Sequence, residues 1–153
     1  MSEIIANSEF IELMRETFDR GQELTFTPSG RSMLPMLNGT GDKVTLSSKP
    51  DRLKKYDVAL YLRPGTGQLV LHRMIGFDRG GGYIFCGDGQ YAYEYGICDG
   101  DILALMTAFT HEGMEHSADE PAYRRYYRRM LLKKKVKILL IRIYHVFKRN
   151  KKG

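Results

Sequence analysis

The feature that most limits what this chain can fold into is a succession of short apolar runs between residues 24 and 110, each cut off by Gly, Pro or Asp. After a short strand ahead of Pro28 they are Lys43-Val44-Thr45-Leu46, Asp57 to Leu62, Gln68 to Phe77, Tyr83 to Cys86 and Asp101 to Thr110. This spacing predicts a mainly antiparallel β domain. Pro64-Gly65-Thr66-Gly67 and Arg79-Gly80-Gly81-Gly82 read as connections between neighbouring strands. Ahead of the β region, Phe10, Ile11, Met14 and Phe18 share one helical face, Ser8 is placed to cap, and Gly21 supplies a stop. These signals predict a helix over about 8–20, packed on the domain as part of an N-terminal segment 1–22. The β domain then occupies 23–110. Polar, Glu-rich 111–121 reads as a linker, and 122–153 as a basic amphipathic helix.

Charge is segregated along the chain. Of 24 Lys and Arg residues, 13 follow Pro121, where there is no Asp or Glu, so 11 basic residues face 18 acidic ones in the remainder. A basic tail on an acidic body points to an anionic surface as its partner: lipid headgroups, nucleic acid or the body itself. Tyr123 to Arg129 interleaves aromatic and basic residues, and Val136 to Phe147 is apolar but interrupted by Lys137, Arg142 and His145. That stretch falls short of the ~20 residues needed to cross a bilayer and suits an interfacial helix. The N-terminus lacks a basic region followed by an apolar core. Cys86 and Cys98 have neither metal-site nor disulfide-framework spacing. Both features predict a cytoplasmic chain, with residues 122–152 expected to reach the inner membrane face.

Two segments carry residues suited to chemistry. Pro28-Ser29-Gly30-Arg31-Ser32-Met33-Leu34-Pro35-Met36-Leu37 is a turn rich in Gly and Pro that can hold a serine at a sharp corner. Most serines in such turns simply bond local backbone. In Leu69-Val70-Leu71-His72-Arg73-Met74-Ile75-Gly76, strand alternation puts Val70, His72 and Met74 on one face and Leu71, Arg73 and Ile75 on the other. A half-buried strand histidine is commonly a satisfied core group, and its ordinary pKa also suits proton transfer near neutrality. Other patterns are set aside. His111 and His116 stand five apart, where a zincin helix needs four, and no Gly-x-x-x-x-Gly-Lys occurs. Cys86 lies in an apolar run and reads as core. Asn38-Gly39-Thr40 spells a glycosylation sequon without an export signal.

Gly30-Arg31-Ser32-Met33-Leu34-Pro35 resembles the Gly-x-Ser-Met-x-Pro nucleophile box of type I signal peptidases. Other pieces follow in the family's order: Gly41-Asp42-Lys43-Val44, Tyr56 to Tyr61, the base box His72-Arg73-Met74-Ile75-Gly76, Phe85-Cys86-Gly87-Asp88-Gly89 and Asp101-Ile102-Leu103-Ala104. The resemblance covers roughly residues 24–108 and implies the antiparallel β fold shared with self-cleaving repressors. It further implies a serine endopeptidase of the Ser-His type that cleaves a leader or small precursor without a cofactor or metal.

On this resemblance Ser32 is the nucleophile and His72 the general base, and Asp88 is the favoured orienter of the imidazole, with Asp99 and Asp101 as alternatives. In lysine-type members an equivalent aspartate pairs with the arginine after the base, here Arg73. The backbone N–H of Ser32 and the turn at Gly30 would form the oxyanion site, and Met33 and Pro35 would contact substrate. The chain departs from membrane-bound members in lacking an N-terminal anchor and the large β insertion. A contrasting expectation is an inactive adaptor with the same fold, binding anionic membrane or nucleic acid through its tail. Nucleic acid is the less favoured partner, because basic helices more often face solvent or lipid.

Overall fold

The computed structural model describes residues 2–39 and 41–150, with side chains for 7–39, 41–137, 139–140 and 143. Thr40 of the sequon spelling, the side chains of Arg142 and His145, and the tail residues Lys151 and Lys152 lie outside the described residues. The chain divides into two units, Met1–Ala118 and Asp119–Gly153.

The first unit is mainly antiparallel β. Helix α1 (Ser2–Asp19) precedes strands β1 (Leu24–Phe26), β2 (Val44–Ser48), β3 (Val58–Leu62), β4 (Leu69–Phe77), β5 (Tyr83–Cys86), β6 (Glu94–Ile97), β7 (Ile102–His111) and β8 (Met114–Ser117). The sheet runs β1-β2-β7-β3-β4-β5-β6, with β8 added to β7. The expected strands are present. Three readings change. Helix α1 starts six residues ahead of Ser8, because no Gly or Pro interrupts residues 2–7. Strand β6 forms on Glu94-Tyr95-Gly96-Ile97, a tyrosine-rich segment without clean alternation. The stretch 111–121, expected as a linker, carries β8, which returns along β7 through Glu112 and Gly113, both at positive φ. Polar residues suffice there because β8 is an edge whose side chains are largely exposed.

Local chemistry accounts for the boundaries. Helix α1 ends in a Schellman motif: Gly21, at φ 70°, donates to Phe18 O, and Gln22 donates to Thr17 O. Met14 is buried and Phe10 meets Phe26 edge-on at 5.2 Å, which packs the helix against β1. The β3–β4 turn is closed by Arg63 N–H on Gln68 O, with Gly65 and Gly67 at positive φ. On one face of the sheet a core forms from Ala59, Tyr61, Val70, Met74, Tyr83, Phe85, Ile97 and Ile102, each large side chain contributing about 1.5–3 kcal/mol through burial.

The second unit is the 30-residue helix α2 (Pro121–Asn150). Pro121 occupies the first helical position, where its missing N–H costs nothing, and Arg124 N–H donates to Glu120 O. Among the described residues no helix is long and apolar enough to cross a membrane.

Candidate active site

The segment after β1 turns sharply at Gly30, whose φ of 94° is in the region open to glycine. A compact turn over residues 32–36 follows, closed by Leu37 N–H on Met33 O and containing a cis Leu34–Pro35 peptide. Ser32 lies on this turn, half-buried, and its N–H enters no backbone hydrogen bond among the described residues. The turn is clamped from behind by the Gly87-Asp88-Gly89 loop that leaves β5. Gly89 N–H donates to Ser32 O at 2.8 Å. A methyl group on Gly87 would fall 2.5 Å from Ser32 O and 3.0 Å from His72 Nε2, so the glycine keeps open the space between the Ser32 main chain and the imidazole.

Strand β4 presents the expected alternation. His72, 2% exposed, points to the side of Tyr61, while Arg73, fully buried, points the other way. Arg73 makes a two-pronged ion pair with Asp88, Nε–Oδ1 2.8 Å and Nη2–Oδ2 2.6 Å. Its Nη1 donates to Tyr56 O at 3.0 Å, and Nη2 lies 3.1 Å from Met36 Sδ. One guanidinium thus joins the serine turn, β4, the entry to β3 and the glycine loop.

This geometry corrects the expected orienter. Asp88 is engaged by Arg73, because strand alternation puts the two on the face opposite His72. Asp99 accepts the Tyr83 hydroxyl, and Asp101 accepts the Cys98 N–H at 2.8 Å, so neither reaches the imidazole. The group that does is Glu94 on β6, with Oε1 3.0 Å from His72 Nδ1. Arg63 fixes that carboxylate with a fork, Nε–Oε2 2.7 Å and Nη2–Oε1 2.9 Å. Tyr61 completes the set, its hydroxyl 3.3 Å from Nδ1. Sequence reasoning passed over Glu94, whose one signal is a lone acid between Tyr93 and Tyr95.

Electrostatics follow from this packing. Burial lowers the His72 pKa below its ordinary value, and the Glu94 charge opposes the shift without cancelling it. Burial also acts to raise the Glu94 pKa, but the Arg63 bond and the His72 interaction outweigh it, so the carboxylate is ionised well below neutrality. Burial and the neighbouring Glu94 raise the Tyr61 pKa, keeping the phenol neutral. With Glu94 ionised and His72 neutral, the Nδ1 proton belongs on the Glu94 side and Nε2 is left as an acceptor beside Gly87.

A cleft of about 610 Å³ opens over these groups, lined among others by Gly30, Ser32, Met33, Leu69, His72 and Gln90. Met33 is therefore at the cleft as expected. Pro35 is exposed and is not part of the lining, since the turn carries it past the rim. One cleft wall is the first half of β4. Strand β3 pairs with Leu69 to Arg73, but β5 pairs only from Arg73 onward, so Leu69 to Leu71 present a backbone edge on the β5 side. Comparison with protein-family models, curated proteins and solved structures finds no match for this chain.

Proposed function

We propose that the protein is a serine endopeptidase that cleaves a leader or small precursor, with Ser32 as nucleophile, His72 as general base and Glu94 as the residue that positions the base. The observation carrying this reading is the buried His72: its Nδ1 is held by an ionised carboxylate at 3.0 Å, and its Nε2 borders the Ser32 turn. The carboxylate, itself fixed by an arginine fork, holds the imidazole in one orientation and one tautomer, as a general base requires. The order of motifs from Gly30 to Ala104, which resembles that of type I signal peptidases, supports the same reading.

In this mechanism Ser32 Oγ attacks the scissile carbonyl while Nε2 takes its proton. The imidazolium that forms is stabilised by Glu94. Charge developing on the carbonyl oxygen is received by the Ser32 N–H, helped by the turn at Gly30. Nε2–H then protonates the leaving amine as the tetrahedral species collapses to an acyl-enzyme, and water deprotonated by the same nitrogen releases the new carboxylate. An extended substrate would pair with the backbone edge of Leu69 to Leu71, which runs toward His72 along the cleft wall. Asp88 has no proton-transfer role here. It holds Arg73, and through it the serine turn.

The test is a comparison of protein N-termini in cells producing wild type, Ser32→Ala or His72→Ala, with equal expression and folding of all three. The reading expects new N-termini that require both side chains. Identical profiles for the three proteins would reject it.

A further inference from the structure

Helix α2 carries a surface that the peptidase reading does not use. Leu132, Val136, Leu139, Leu140 and Ile143 are 42–63% exposed. With about 100° of turn per residue, they fall within one arc of about 100° along about 17 Å of helix. Lys133 and Lys135 border this stripe on either side and are exposed. Arg124, Arg125, Arg128 and Arg129 are exposed ahead of it, and the sequence after Glu120 contains no acid.

We infer that this stripe and its basic borders dock the protein on an anionic bilayer surface, the helix lying in the interface with its aliphatic side chains inserted. Two independent properties of the helix select that occupant. A net positive charge with no acid complements phosphate-bearing headgroups. A contiguous row of aliphatic side chains then needs an apolar phase within reach, and long basic side chains at its borders extend back to the headgroups. Binding to nucleic acid would use the charges but leave the aliphatic row in water. No helix among the described residues is long and apolar enough to cross a membrane.

The experiment is vesicle flotation with the full chain bearing Ser32→Ala, so that the result is independent of any peptidase activity. Vesicles are phosphatidylcholine alone or phosphatidylcholine with phosphatidylglycerol. The protein is expected to float with the anionic vesicles and to stay behind with the neutral ones. Lys133→Ala and Lys135→Ala should each weaken binding about fivefold. Leu139→Ser and Leu140→Ser should each weaken it roughly tenfold or more. All four sites are exposed, and circular dichroism verifies that helix content is retained. Failure to float with anionic vesicles, or flotation unchanged by the leucine substitutions, would overturn the inference. So would retention on a mixed-sequence oligonucleotide without vesicle binding, which would assign the helix to nucleic acid instead.

Discussion

Replacing Glu94 by Gln tests whether the carboxylate sets the proton positions on His72. The carboxylate accepts at both oxygens: Oε1 takes His72 Nδ1 and Arg63 Nη2, and Oε2 takes Arg63 Nε. An amide has one acceptor oxygen. If its nitrogen takes the Oε2 position, it sets donor against donor at Arg63 Nε. If it takes the Oε1 position, its N–H groups face His72 Nδ1 and select the tautomer with the proton on Nε2, which removes the acceptor that borders Gly87 and the Ser32 turn. Serine peptidases that lose the carboxylate in this way fall by about 10⁴ in turnover through the wrong tautomer, and positioned general bases are worth about 10²–10⁴. The variant should therefore process substrate about 10²–10⁴-fold more slowly. Its His72 pKa should fall further below the ordinary value, because the Glu94 charge is the main influence raising it. The assay pairs initial rates on a peptide spanning a mapped cleavage site with NMR titration of the imidazole nitrogens. Wild-type rates, together with an unchanged tautomer and titration, would refute the reasoning.

Three further outcomes follow from the same structure. Asp88→Asn leaves the fully buried Arg73 guanidinium without its counter-charge and should cost about 3–5 kcal/mol in urea denaturation; a loss within error of zero would show the pair is dispensable. Gly87→Ala drives a methyl into Ser32 O and His72 Nε2, so it should cost about 1–3 kcal/mol and slow processing by about 10²-fold through misplacement of the two groups; full activity would mean the loop does not set their separation. For pH, the His72 pKa is lowered on folding from 6.5, so the unfolded chain takes up the proton first as pH falls. Stability should be constant on this account above pH 6.5 and decline below it until the native pKa is reached, by up to about 1.4 kcal/mol per pH unit. Glu94, lowered from 4.5, adds a second loss at more acidic pH, complete once its native pKa is passed. Calorimetric scans of His72→Gln should lack the first limb and show a smaller second one, because His72 also helps lower the Glu94 pKa, and curves parallel to wild type would contradict that origin.

Most strands were legible because they rest on local signals, period-two alternation with Gly and Pro punctuation. Ser32 and His72 were singled out by the resemblance of their motifs to a known family, since a turn serine and a strand histidine are by themselves ordinary structural residues. The orienter was not. Glu94 reaches His72 from a strand two places away in the sheet, with β5 between them and register shifts on both sides of it, and no local pattern encodes such a reach. The resemblance of Gly87-Asp88-Gly89 to a family motif favoured Asp88, but alternation on β4 commits that loop to Arg73. That consequence was already implicit in Arg73 and His72 being neighbours. Strand β8 escaped notice for a different reason, since an exposed edge strand needs no apolar face. The length of α2 was visible in its composition. The arc of exposed aliphatic residues became clear only when burial separated them from Tyr123 and Tyr127 on the same helix.

The most direct test of the central claim is digestion of a proteome-derived peptide library by the purified wild-type chain, Ser32→Ala and His72→Ala, read by mass spectrometry of new peptide ends. The account predicts a defined set of cuts made by the wild type and lost in both variants. No cuts by the folded wild-type protein, or the same cuts persisting in Ser32→Ala, would contradict it.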